Sequence, residues 1–333
     1  MKRIVAFLIL AAASAWGATA KAEPVTLKLS FFGPSTEVNY ARLIKPWVAA
    51  VNADSSGAVK IEAYPEGALG KALPAQPQMV LDGVADIAFI NPSLEPGRFP
   101  DDQVLELPGL FKSLDEAVKV YQSLVTSNSL RGYEGYVVIG SMMNPSYRLF
   151  GRKPMRSLAD LKGMKVRIVG PMIGQTVKQL GMVPIMMPPT EIVEAMGRGT
   201  IDATTAVPAA VIDFGIDRVA KNDFLLPLGY GPLTIVMNRK KYESLPAAAQ
   251  DVLKKYGIDW VNALYLKNLG PYDASLVERF KADHNRTVTS PSAADLKTLD
   301  ATYQRIVAAW VAKSQRNAEL LSKVRSVLTT MRK

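Results

Sequence analysis

The chain has 333 residues, 48% apolar and 21% charged, a globular composition that a rule of roughly 150 residues per domain divides into two domains. It holds no cysteine and one histidine, His284, which excludes disulfides, thiolate chemistry and His-rich metal centres, and no cofactor is expected. Forty Lys and Arg against 30 Asp and Glu give a formal charge of +10, which invites a nucleic-acid reading until the distribution of those charges is followed.

Met1-Lys2-Arg3 precedes an apolar run from Ile4 to Ala13, and small residues follow at Ala18, Ala20 and Ala22. These are the three parts of a secretory signal, so cleavage is expected near Ala22. The apolar run is shorter than the ~20 residues that a membrane span needs. Removing 22 residues leaves 311, and with Lys2, Arg3 and Lys21 gone the charge falls to +7. The remaining basic residues form no dense run. An exported protein does not meet nucleic acid, so none is expected as a partner.

Residues 25–32 alternate and are β-rich, and read as a strand. Gly33-Pro34-Ser35 turns the chain into a helix expected to reach about Ala53, with Tyr40, Leu43, Ile44, Trp47, Val48 and Val51 on one face and a kink at Pro46. A second strand is expected at 59–63, a helix ending at Gly83, and a third strand at 86–90. The order recurs with a strand at 164–169, a helix at 172–180, a strand at 183–186, a helix opening at Pro188-Pro189-Thr190, and a strand at 201–205. Gly83-Val84-Ala85-Asp86 and Gly199-Thr200-Ile201-Asp202 share a Gly-x-x-Asp pattern at the second helix–strand joint, where glycine favours helix termination.

Two βαβαβ halves imply an α/β fold of two lobes, each a mixed, mostly parallel sheet flanked by helices. Ligands of open α/β sheets bind outside the carboxyl ends of the strands, so facing lobes create a cleft between them. The loops at 31–35, 91–96, 167–171 and 204–208 are expected to line it. The C-terminal third reads as helix from about Pro246 to His284, broken or kinked at Gly270-Pro271, then a last amphipathic helix with Leu296, Leu299, Tyr303, Ile306, Val307 and Trp310. No flexible linker separates the halves, so several crossings are expected. Lobe I is assigned 23–147 plus about 230–275, and lobe II 148–229 plus about 276–333.

Arg167 stands out as a charge in the buried-type strand Val166, Ile168, Val169. A buried guanidinium requires an anion. Its planar fork of donors fits a carboxylate. The anion is either a ligand or an internal partner such as Asp202 or Glu191.

The run Ser157-Leu158-Ala159-Asp160-Leu161-Lys162-Gly163-Met164-Lys165-Val166-Arg167 resembles a signature of substrate-binding proteins of tripartite ATP-independent periplasmic (TRAP) transporters. So do Tyr64-Pro65-Glu66-Gly67-Ala68-Leu69-Gly70, Leu81 to Ile87 and Met187 to Ile192. The resemblance covers nearly the whole mature chain. It implies a periplasmic receptor with a two-lobed binding-protein fold, which closes on a small organic carboxylate and delivers it to membrane permease subunits. Such a receptor is no enzyme, and is expected to be a monomer. The resemblance also implies that Arg167 pairs with the ligand carboxylate and that Arg148, in the preceding strand, is the nearest match to a second ligand-facing Arg. The family's usual Asn after the third strand of the second lobe is Ala206 here, so a further hydrogen bond is expected from Thr204 or Thr205. This departure argues against a C4-dicarboxylate.

The other ligand-facing candidates are Asn91, Phe31, Phe32, Phe89, Pro189 and Tyr230. Mostly apolar and aromatic, they suggest a monocarboxylate with an apolar or aromatic body. Two alternatives share parts of the pattern: the binding protein of an ATP-driven importer and a secreted hydrolase. The latter lacks a plausible base, since His284 lies in the polar stretch Lys281-Ala282-Asp283-His284-Asn285-Arg286.

Overall fold

Alternation along β1 (Val25–Ser30) puts Leu27 and Leu29, both fully buried, on one face of the first strand. The computed structural model describes residues 23–333; the expected signal segment and its cleavage near Ala22 lie outside the described residues. A π-helical turn over Tyr40–Ile44 runs into α1 (Lys45–Asp54), so the single kinked helix of the sequence reading is two segments. Pro46 has no N–H to give the Arg42 carbonyl in an α register. That carbonyl accepts from the Asn268 side-chain amide at 3.0 Å instead.

β2 (Val59–Tyr64) pairs in parallel with the whole of β1. A 3-10 turn at Leu73–Ala75 opens the short α2 (Gln76–Leu81), and β3 (Ile87–Ile90) pairs in parallel with the other side of β1. α3 (Leu114–Thr126) and β4 (Tyr136–Asn144) complete this first pass through the lobe.

The chain then crosses to β5 (Arg148–Gly151), β6 (Lys165–Ile168), α4 (Pro171–Gln179), β7 (Val183–Met186), α5 (Ile192–Gly197), β8 (Ala203–Ala206), α6 (Pro208–Asp213) and β9 (Asn222–Phe224). It returns through β10 (Gly231–Asn238), α7 (Arg239–Glu243), α8 (Ala247–Lys255) and α9 (Ile258–Ala282). It ends with β11 (Thr287–Thr289), α10 (Ala293–Val311) and α11 (Gln315–Met331).

Two sheets result, ordered β2-β1-β3-β10-β4 and β11-β9-β5-β8-β6-β7. In each, a central strand is flanked by two parallel partners, and an antiparallel strand follows: β10 beside β3, β5 beside β8. The Gly-x-x-Asp repeat sits at matching joints. Gly83 and Gly199 both adopt positive φ, 73° and 74°, where a side chain is disfavoured. The Asp86 carboxylate then accepts the Lys28 N–H at 2.7 Å, and Asp202 accepts the Lys165 N–H at 2.9 Å. Each aspartate ties the joint to its central strand, at Lys28 within β1 and at Lys165, the first residue of β6.

The helical break lies elsewhere than expected. α9 runs unbroken for 25 residues through Gly270 and Pro271. The interruption is at Tyr256-Gly257, between α8 and α9, where the buried Trp47 indole N–H donates to the Tyr256 carbonyl at 2.7 Å. That bond satisfies a carbonyl left open at a helix end. α9 packs against β4 and α3 of one lobe and α6 and β11 of the other, so it is itself a crossing.

The last expected helix is two. Within α10, Leu299, Tyr303, Ile306 and Trp310 are buried but Leu296 is exposed. Strand β11 and helix α10 adjoin the second lobe. α11, which the sequence reading assigns to lobe II, turns back onto α3 and the 3-10 segment Pro100–Glu106 of the first lobe. Arg316 pins it there, donating to the buried Asp101 carboxylate at 2.5 and 3.0 Å.

Candidate functional site

The loops following β1, β3, β6 and β8 converge between the lobes on a cavity of about 80 Å³. Two contacts bring the lobes together beside it. The rings of Phe32, after β1, and Phe214, after α6, stack with centroids 6.3 Å apart. The Val38 N–H donates to Asp213 at 3.1 Å.

Arg167 enters this cavity from β6 and is 3% exposed. Its Nε donates to the Met187 carbonyl at 2.8 Å and its Nη1 to the Thr205 carbonyl at 3.1 Å. Among the described residues no carboxylate lies within salt-bridge distance of it, and its Nη2 has no acceptor. Neither internal partner considered from sequence forms that bridge. Asp202 instead takes the Lys165 N–H and lies 3.8 Å from Lys153 Nζ, while Glu191 acts only as a nearby charge. Burial pulls the guanidinium down to about 10, against the opposing pull of Tyr147 and Glu191, so it remains a cation at neutral pH.

The walls are mostly apolar and aromatic. Phe32, Phe89, Phe214 and Tyr272 contribute rings, and Val169, Ile192, Ala206, Val207 and Ala209 the aliphatic surface. Ala206 therefore lines the cavity at the position where the resemblance implies an Asn.

Of the ligand-facing residues expected from sequence, Arg167, Asn91, Phe32, Phe89 and Pro189 line this cavity. Five do not. Phe31 is fully buried between Phe32, Tyr40 and Phe89, in the core. Thr204 and Thr205 are fully buried, and their hydroxyls donate to the backbone carbonyls of Thr205 and Arg167. Their hydroxyls face the protein, which removes them as the second ligand donor. Arg148 stands 3.8 Å from Asp273, outside the lining, and Tyr230 packs edge-on against Phe111.

Several lining residues carry no signal in the sequence reading. Asp273 and Tyr272 come from the middle of α9, where nothing distinguishes them from an ordinary amphipathic helix. Asp273 accepts the Ala209 N–H at 3.2 Å, and burial pushes it up to about 6. Asn144 and Tyr147 flank the first crossing, the Asn144 amide donating to the Tyr147 hydroxyl at 2.8 Å. Glu37 and Asn39 lie just past the β1 loop that was expected to face the cleft; extending that loop by four residues would have found both. Glu37 is 4% exposed, and burial, reinforced by Asp213, pushes it up to about 8 against the donors that hold it.

Residues 30–314 match the family model described as bacterial extracellular solute-binding protein, family 7. A solute-binding protein of Albidiferax ferrireducens is 28% identical over 261 residues, covering 75% of this chain and 76% of that protein. The C4-dicarboxylate-binding periplasmic protein of Rhodobacter capsulatus is 25% identical over 265 residues, covering 76% and 78%. A crystal structure of a marine-metagenome TRAP solute-binding protein, described as specific for aromatic acid ligands and holding 3-hydroxybenzoate, superimposes with a TM-score of 0.85. It is 26% identical and covers 92% of this chain and 99% of that one.

Proposed function

The chain belongs to family 7 of the bacterial extracellular solute-binding proteins, as a TRAP-type receptor, and from that premise we propose that its cavity takes a small monocarboxylic acid with an apolar or aromatic body. One observation carries the reading. Arg167 is a buried cation with two of its five N–H donors spent on backbone carbonyls, its Nη2 free, and no carboxylate beside it. A charge held this way is stabilised by an incoming anion. The Asn91 side-chain amide also lines the cavity and donates to no acceptor among the described residues; it replaces the hydrogen bond lost with Ala206. The aromatic walls suit a ring better than a second carboxylate, whose charge would have no partner there. The aromatic-acid specificity of the marine-metagenome relative points the same way, and the C4-dicarboxylate relative from Rhodobacter capsulatus is the contrast.

TRAP receptors of this family bind small organic acids outside the cytoplasm and work with membrane components. For this chain we read the working form as a periplasmic monomer cleaved near Ala22, with lobes bounded near residues 147 and 230.

Calorimetry against benzoate, phenylacetate, mandelate and succinate tests the ligand class. The monocarboxylates should bind and succinate should not. Charge-assisted hydrogen bonds contribute about 1.5–3 kcal/mol each, so Arg167→Ala should stay folded and weaken binding by at least about a hundredfold. Unchanged affinity in that variant, or preference for succinate, overturns the reading.

A further inference from the structure

Asn39 is nine-tenths buried and lines the cavity from the first lobe, whereas Arg167 enters from the second. Its orientation is fixed by one neighbour. The Asn39 backbone N–H donates to Glu37 Oε2 at 2.8 Å, and its side-chain amide donates to Glu37 Oε1 at 2.7 Å. With both groups held by the same carboxyl, the Asn39 carbonyl oxygen has one direction open to it. That oxygen is buried and has no hydrogen-bond partner among the described residues. A buried acceptor left unpaired is destabilising, and on a residue that lines a ligand cavity it is available to a donor.

We propose that Asn39 Oδ1 is a specificity-determining acceptor for a hydroxyl group on the ligand, so that the receptor selects a hydroxy-substituted acid over its unsubstituted parent. The inference rests on the reading of the cavity as a monocarboxylate site. Asn39 follows β1 of the first lobe and Arg167 lies on β6 of the second, so the two residues reach the cavity from opposite lobes. Burial and the nearby Asp213 push Glu37, which holds Asn39, up to about 8, and the rings of Phe32, Phe89 and Phe214 in the same lining suit a hydroxylated ring.

The test is calorimetry at pH 7 with benzoate, its three hydroxy isomers and the three matching methoxy compounds, which keep the oxygen but lack the donor. One hydroxy isomer should bind about tenfold or more tightly than benzoate, as expected when a buried acceptor gains its donor, and its methoxy counterpart should not. Asn39→Leu should cut the preference for that isomer over benzoate to less than about threefold, whatever it does to the two affinities together. Benzoate binding with no hydroxy isomer preferred overturns this inference and leaves the monocarboxylate reading standing. Equal weakening of both acids in Asn39→Leu also overturns it. Silence from all seven acids overturns the monocarboxylate reading and this inference with it.

Discussion

Each of the three nitrogens of Arg167 has its own direction, which is why the residue type matters there. Nε and Nη1 are aimed at the Met187 and Thr205 carbonyls, and Nη2 is left for the cavity. A Lys at this position has one nitrogen for all three directions and cannot form a bidentate pair. Arg167→Lys should therefore fold and keep its charge yet lose about ten- to a hundredfold in acid affinity, measured by calorimetry beside circular dichroism. Affinity equal to wild type would mean that charge alone binds the ligand. This residue was legible in the sequence because a charge interrupts a run of Val and Ile, a conflict that only a function or an ion pair resolves. Phe31 and Phe32 were not separable by such reasoning, since adjacent aromatics at a strand end differ only in which one faces the core. Thr204 and Thr205 misled for a related reason: composition shows a hydroxyl but not that it is spent on a backbone carbonyl. Glu37 and Asn39 carry no pattern, because their role comes from hydrogen bonds to each other.

Among elements, the two βαβαβ halves were legible because each joint repeats a physical requirement: a left-handed glycine to stop the helix and an aspartate to hold the next strand. The break between α8 and α9 was not, because it is set by Trp47, some two hundred residues away in sequence. Pro271 looked like the stronger signal, but tertiary packing along α9 overrides it. Two of the crossings between the lobes, after β4 and before β10, are joined by hydrogen bonds of their own. They run side by side, the Tyr147 N–H donating to the Gly229 carbonyl at 2.8 Å and the Leu228 N–H to the Tyr147 carbonyl at 2.9 Å. Gly231 leaves room for the Tyr147 ring. A Cβ there would lie 2.7 Å from the Tyr147 hydroxyl and 2.8 Å from its ring. Gly231→Ala should thus displace Tyr147, a lining residue, and cost about 1–3 kcal/mol as overpacking does. Urea unfolding should register the loss and calorimetry a weaker acid affinity. Wild-type values for both would show that the crossing accommodates a methyl group without moving the ring.

For the molecule as a whole, the buried carboxyl groups decide how stability responds to pH. Burial pushes Glu37 and Asp102 up to about 8 and Glu106 up to about 7. Glu106 is 1% exposed, and its Oε2 has no hydrogen-bond partner among the described residues. In the unfolded chain these groups ionise near 4, so between pH 4 and pH 8 the folded state holds more protons than the unfolded one. Stability is then fully present below the unfolded values and falls as pH rises through the folded ones. Asp101 runs the other way. Its hydrogen bonds from Arg131 and Arg316 outweigh burial and hold it down at about 2, so its contribution is present above about pH 4 and is lost as pH falls toward 2. The two trends meet in a maximum near pH 4–5. Calorimetric scans at constant ionic strength should show Tm declining from pH 5 to pH 9. Glu106→Gln, which keeps the shape and cannot ionise, should flatten the decline and raise Tm most at pH 8–9. A wild-type Tm that is flat or rising from pH 5 to pH 8 would mean that these carboxyls find compensation in the folded state. The same scans repeated with a saturating acid should keep a decline, because Asp102 and Glu106 lie outside the cavity lining and Arg167 stays a cation throughout that range.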